Sequence, residues 1–165
     1  MPEVVMLCGI PTSGKSTYVE KLKKLPYWKD AVILSTDNYI EKYAESVSKT
    51  YNEVFDDLIS DATCQLETDL IIAKDKGRDI IWDQTNLSIK TRKKKLSTFP
   101  SYYHKGAVHF QISLEDALER NNHREGKFIP ESIIKRMWHQ FEIPTKQEGF
   151  GWIESVQSSN WHNVH

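Results

Sequence analysis

The chain has 165 residues, 39% of them hydrophobic and 27% charged, with a formal net charge of −1, a size and balance that predict one globular domain. Near-neutral charge gives no global attraction to a polyanion, so any nucleic-acid contact must rest on a local patch; no uncharged apolar run approaches the roughly 20 residues of a membrane span. Cys8 falls in an apolar strand and Cys64 on a helical pattern, which suits the reduced thiols of a cytoplasmic protein rather than a disulfide scaffold.

The first predicted element is the apolar run Val4-Val5-Met6-Leu7-Cys8, a buried strand. It leads straight into Gly9-Ile10-Pro11-Thr12-Ser13-Gly14-Lys15-Ser16, which fits G-x-x-x-x-G-K-[ST], and not into a secretory cleavage pattern. Tyr18, Val19, Leu22 and Leu25 then recur at helical spacing. Strand, glycine-bounded loop and helix together make a phosphate-binding P-loop. Gly9 and Gly14 let successive N–H groups turn inward, and the helix adds its unpaired amides and positive dipole end. Lys15 is placed to neutralise β- and γ-phosphates, and the Ser16 hydroxyl to ligate Mg²⁺. The segment Gly9, Pro11, Thr12, Ser13, Gly14, Lys15, Ser16 and Thr17 is the candidate nucleotide site.

Residues 31–34 read as a second buried strand, followed by Ser35-Thr36-Asp37-Asn38 and a helix through Tyr39, Ile40 and Tyr43. Asp37 thus stands where a strand ends, at the edge where open α/β sheets bind ligands. From position alone it is either a helix N-cap or a catalytic base, or both. Residues 51–76 give the longest helical pattern, with Tyr51, Phe55, Leu58, Ala62, Leu66, Leu70 and Ala73 in step and Gly77 as its stop, and read as a packing helix. Residues 79–83 form a third strand, expected beside the first. Asp83 at its end occupies a Walker-B type of position, where a carboxylate supports a metal site.

Residues 88–99 read as a helix with Ile89, Leu96 and Phe99 inward and Lys90, Arg92, Lys93, Lys94 and Lys95 on the other face. Such a run is by default solvated, yet five cations without an anion also suit a phosphate backbone. Residues 108–112 are a fourth strand, and Ser113 to Asp116 resembles a capping box opening the next helix. On that helix Arg120 and Arg124 fall at i, i+4, a pairing able to stabilise the charge of a phosphoryl group in flight. Gly126-Lys127-Phe128 reads as a flexible joint, and Pro130 opens a helix burying Ile133, Ile134, Met137 and Phe141. The tail from Gly149 to His165 is aromatic-rich, and its residues 152–156 add a last strand. Strands alternating with helices throughout predict a parallel sheet with helices on both faces. The histidines are scattered without zinc-like spacing.

Taken in order, residues 9–17, Ser35-Thr36-Asp37, Asp83-Gln84-Thr85-Asn86 and Arg120-Asn121-Asn122-His123-Arg124 resemble the motifs of polynucleotide 5′-hydroxyl kinases, the phage enzymes and the kinase half of animal polynucleotide kinase-phosphatases. Gln140 to Gly149 resembles the end of the animal kinase domain. The resemblance implies an adenylate-kinase-like P-loop NTPase fold, a three-layer sandwich with a small helical lid at about residues 120–130, in a single kinase domain over residues 1–165. It implies Mg-ATP-dependent transfer to a nucleic-acid hydroxyl, most simply a 5′ end. Asp37 would be the general base, Lys15 would hold the donor, Ser16 and Asp83 the Mg²⁺, and Arg120 and Arg124 would close over the transferred phosphate. Asn86, Lys90, Arg92, Lys93 and Lys94 are candidate acceptor contacts. Two departures stand out: Thr36 and Ile40 replace arginines that the resemblance leads one to expect. The alternative acceptor is therefore a small metabolite, nucleoside or modified nucleobase. A nucleotide-hydrolysing switch or motor is disfavoured, because Gln84 rather than glutamate follows Asp83 and no Asn-Lys-x-Asp signature occurs.

Overall fold

In a computed structural model, which describes residues 1–158, the chain runs β1 (Glu3–Cys8), α1 (Lys15–Lys23), β2 (Val32–Leu34), α2 (Thr36–Ser46), α3 (Tyr51–Asp75), β3 (Ile80–Asp83), α4 (Ile89–Leu96), β4 (His104–Gln111), α5 (Leu114–Asn122), α6 (Glu131–Gln140), a 3₁₀ turn (Lys146–Glu148) and β5 (Trp152–Gln157). The strands form one sheet in the order β2-β3-β1-β4-β5, and every pairing is parallel. Val4 lies opposite Ile80 and Leu7 opposite Asp83, so the third strand does lie beside the first. All carboxyl ends therefore share one edge, where the loops gather.

Alternation along the central strand builds three layers. Val4, Met6 and Cys8 pack with Leu66 and Ala73 of α3 and with Leu96 and Phe99 at the end of α4. Val5 and Leu7 face the other way, into Tyr18, Val19 and Leu22 of α1. Side chains in a strand alternate by face, so a strand apolar on both faces has to be covered on both. A helical hairpin, α2 against α3, buries Ile40 and Ala44 on Val54, Leu58 and Ala62. A smaller cluster of Ile10, Ala117 and Ile134 ties α5 and α6 to the loop after β1.

The ends of these elements are chemically specified. At the start of α3, Thr50 and Glu53 exchange side chain-to-amide bonds of 2.6 and 3.3 Å in a full capping box. Ser113 caps α5 by accepting from the Asp116 amide, without the reciprocal half of the box. The fourth strand begins at His104, four residues before the expected start, because β1 pairs with it from Glu3 onward. Apolar alternation misses that beginning because it contains Lys105 and Gly106. Gly106 is needed there: a Cβ would lie 2.1 Å from Cε2 of the Trp152 indole lying across it. The last strand forms as expected, whereas the final residues of the aromatic tail, 159–165, lie outside the described residues.

Candidate active site

The phosphate loop follows β1 at the carboxyl edge. Gly14 has φ +100°, a left-handed conformation that glycine adopts freely, and delivers the chain into α1 at Lys15. Thr12 also has positive φ, 72°, a cost that a threonine accepts only when its surroundings hold it. Its hydroxyl donates to the Ala117 carbonyl at 3.2 Å, and its own carbonyl accepts from Arg120 Nη1 at 2.9 Å. The Gly9 amide donates to the Thr85 carbonyl at 2.9 Å, which fastens the loop to the segment after β3. Lys15 Nζ folds back to donate to the carbonyls of Gly9 and Ile10 at 2.8 and 2.9 Å. Burial lowers its pKa to about 8, opposed by the charges of Asp83 and Asp37.

Asp37 is not the cap of its helix. Ser35 is, its hydroxyl accepting from the Asn38 amide at 3.2 Å. The Asp37 carboxylate is left to face the cavity, where it accepts from the Tyr51 hydroxyl at 2.7 Å and from Lys127 Nζ at 3.0 Å. Lys127 also pairs with Glu41 and stands 4.7 Å from the centre of the Tyr51 ring. Burial pushes the Asp37 carboxyl upward. The charge of Lys127, the hydrogen bonds from Tyr51 and Lys127, and the charge of Lys15 outweigh it and hold the group below the usual carboxylate value. Burial and then the Asp37 charge push the Tyr51 hydroxyl far up, so it remains a donor.

Burial raises Asp83, with Lys15 pulling it back and Asp37 adding to the rise. Asp83 and the exposed Ser16 hydroxyl line the same cavity and offer hard oxygens of the kind Mg²⁺ takes, an ion that completes its shell with substrate phosphates and water. No cluster of three His, Cys, Asp or Glu side chains able to hold a metal occurs among the described residues.

The two arginines do not share a helix face. α5 ends at Asn122, so Arg124 lies beyond it. Arg120 reaches from α5 across the loop to the Ser158 carbonyl and hydroxyl. Arg124 lines the cavity, and its buried Nη1 has no hydrogen-bond partner among the described residues. The connection between α5 and α6 is no loose joint. Asn121 clamps both backbone groups of Ile129, at 2.6 and 3.1 Å, and Asn52 clamps both of Phe128, at 2.9 and 2.8 Å.

The basic helix separates into two kinds of residue. Arg92 is fully buried: its Nε and Nη2 donate to both oxygens of Glu148 at 2.8 and 2.9 Å, and its Nη1 donates to the carbonyls of Asn86 and Leu87. Asn86, also buried, donates to the Leu7 carbonyl at 2.7 Å and accepts from Lys95 at 2.6 Å. Neither side chain is available to an acceptor; both hold α4 and the end of β1 together. Lys90, Lys93 and Lys94 are exposed and do not line the cavity.

The cavity itself is about 970 Å³ and joins Lys15, Ser16, Asp37, Asp83, Arg120 and Arg124 in one space. Tyr51 and Phe55, predicted as helix packing, line it as well, as do Ile59, Glu41, Lys127 and Phe128. The Thr-x-x-Glu pattern at Thr50 marks where α3 starts and so bears on Tyr51 and Phe55; no sequence signal points to Glu41, Lys127 or Phe128.

Among known proteins, the family AAA_33, described as an AAA domain, matches residues 4–144. The bifunctional polynucleotide phosphatase/kinase of Schizosaccharomyces pombe is 26% identical over 160 residues, covering 93% of this chain and 33% of that protein. L-seryl-tRNA(Sec) kinase of Methanococcus maripaludis is 26% identical over 147 residues, 86% of this chain and 53% of that protein. The chain thus spans about a third and about half of these two relatives. A gluconokinase structure from Sinorhizobium meliloti superposes with a TM-score of 0.56 at 18% identity, covering 96% of this chain and 83% of that one; it shares the fold. The family match takes in the phosphate loop, Asp37, Asp83 and both arginines, and the chain belongs to the AAA_33 family as a P-loop domain of kinase type.

Proposed function

We propose that this domain transfers the terminal phosphoryl group of Mg-ATP to a hydroxyl carried by a nucleic acid, a 5′ end being the simplest acceptor. The observation that carries the reading is the convergence of Lys15, Asp83 and an Asp37 not spent on capping its helix on one cavity at the carboxyl edge. Lys15 would exchange its two loop carbonyls for donor phosphate oxygens. Ser16 and Asp83 would hold the Mg²⁺, which supplies neutralisation of phosphate charge. The acceptor O–H gives its proton to the Asp37 carboxylate as its oxygen bonds to the γ-phosphorus, and the bond to the β–γ bridging oxygen breaks to release ADP. Arg124, with a buried donor unspent, and Arg120 at the loop suit the charge on the moving group. The segment at about residues 120–130 is the lid of this scheme. Both Asp37 oxygens already accept hydrogen bonds, so the acceptor hydroxyl enters by displacing lid-borne Lys127 from one of them. The names of the two relatives described above include a nucleic acid, which supports that acceptor class.

A second reading, transfer to a small-molecule hydroxyl, draws on the absence of any α4 lysine from the cavity lining. Terminally labelled ATP with Mg²⁺, offered a 5′-hydroxyl oligonucleotide, a nucleoside, gluconate and water, separates the two. Label on the oligonucleotide is expected; label only on a small molecule or inorganic phosphate rejects the nucleic-acid acceptor. Asp37→Asn should lower transfer by about 10²- to 10⁴-fold with nucleotide affinity unchanged. Parallel loss of both would make Asp37 a structural residue.

A further inference from the structure

The wall of the cavity built by α2, α3 and the 123–130 connection differs in character from the phosphate loop opposite. Tyr51 and Phe55, one helical turn apart, have ring centres 5.5 Å apart and planes tilted by 40°. Phe128, 45% exposed, and Ile59 extend this apolar surface. The shelf is held in place: Asn52 fixes both backbone groups of Phe128, and Gly126 packs so close to Thr50 that a Cβ would lie 2.9 Å from its side chain. Beside the shelf stand two carboxylates, Asp37 and Glu41, and two cations, Lys127, which both carboxylates already engage, and Arg124, assigned above to the transferred phosphate. Thr36 and Ile40 on α2 are uncharged, and Ile40 is turned into the helical hairpin core. With Lys127 held by these carboxylates and Arg124 given to the transferred phosphate, the wall leaves no further cation of its own, among the described residues, for an adjoining phosphate. An aromatic ring would meet complementary faces, and its amino groups a carboxylate acceptor at Glu41. The remaining cation of the lining outside the loop, Arg124 and α5 is Arg136, exposed on α6.

We infer that this wall is a stacking shelf that recognises the acceptor's terminal nucleoside through the face of its base, with Phe55, Phe128 and Glu41 setting specificity, and that it makes no clamp on the adjoining 3′-phosphate. The inference rests on the proposed kinase reading and specifies its acceptor.

The test is saturation-transfer NMR and calorimetry on the protein loaded with Mg²⁺ and a non-hydrolysable ATP analogue, titrated with cytidine and with cytidine 3′-phosphate. Base protons should saturate more strongly than sugar protons, and the 3′-phosphate should tighten binding by less than about threefold. Base-on-aromatic stacking of ordinary strength implies that Phe128→Ala weakens both ligands by about fivefold or more. Phe128 is exposed, so that variant should fold; Phe55→Ala, checked for folding by its thermal transition, should act in the same direction. A 3′-phosphate gain of threefold or more, an unchanged affinity in Phe128→Ala, or no binding of either ligand overturns the shelf. The same ligands with labelled ATP distinguish the two levels. Binding as expected without transfer rejects the kinase reading and leaves the shelf. Transfer that the 3′-phosphate strongly promotes rejects the shelf and leaves the kinase.

Discussion

Lys127 has the largest electrostatic effect on Asp37 after burial itself, and it comes from a segment ninety residues away in sequence. Replacing it by methionine removes a cation and a hydrogen bond, so the Asp37 carboxyl must rise. A base with a raised pKa ionises only at higher pH, and the acidic limb of kcat/KM against pH should shift upward in Lys127→Met. A limb that stays put, or moves down, would show that the ion pair is not felt at the reacting carboxylate. Lys15 makes the opposite kind of statement. With its pKa lowered to about 8 by burial, it is charged below that pH in the free protein and increasingly neutral above it. Phosphates need the charged form, so ATP affinity measured by calorimetry should be level below about pH 8 and fall by up to about tenfold per unit above it. Constant affinity to pH 9.5 would refute this. The unfolded chain binds the extra proton between about 8 and 10.5, so the nucleotide-free protein gains stability with rising pH across that window. Lys95, likewise lowered to about 8 by burial, adds in the same sense.

Among the elements, α4 departs furthest from its sequence pattern. Five cations in six residues read as one exposed face, yet Arg92 is 0% exposed and forms a two-pronged pair with Glu148 of the 3₁₀ turn. Spacing along a helix tells which residues share a face; it does not tell which face a partner will cover. Here the partner lies 56 residues downstream, and only the folded chain brings it in. Removing one member of a buried pair strands the other, at a cost of about 3–5 kcal/mol. Arg92→Met should therefore lower the urea midpoint and depress Tm by roughly 10 °C. Adding Glu148→Leu should restore much of the loss, because the stranded carboxylate goes with it. A single variant as stable as the parent would mean that the pair is not desolvated. The same burial keeps Cys8 inert: its thiol, in the central strand, is pushed up to about 12.

At the scale of the molecule, α4 still presents Lys90, Lys93 and Lys94 outward, away from the cavity lining. We propose that, with an oligonucleotide acceptor, they meet phosphates distant from the reacting end. Three such contacts on a single strand imply a log–log salt slope near −2, at about −0.7 per contact. Changing all three to glutamine should flatten the slope and leave the KM for ATP unaltered; an unchanged slope would return them to the solvated surface. The alternation of apolar strands with helices, the glycine-bounded loop after β1, the aspartate just past β2 and the one ending β3 were all legible in the chain. Each depends on neighbours in sequence: φ freedom at Gly14, periodicity in residues 4–8, an acidic residue where an apolar run stops. A parallel sheet then carries those strand ends to one edge without further instruction. Contacts across the fold decided the rest. Tyr51 became a hydrogen-bond donor to Asp37, Lys127 became its counter-ion, a supposed joint became a segment clamped by Asn52 and Asn121, and Arg92 left the surface for the core. No local pattern encodes such pairs, because each is made by two stretches that meet only after the sheet and its helices have packed.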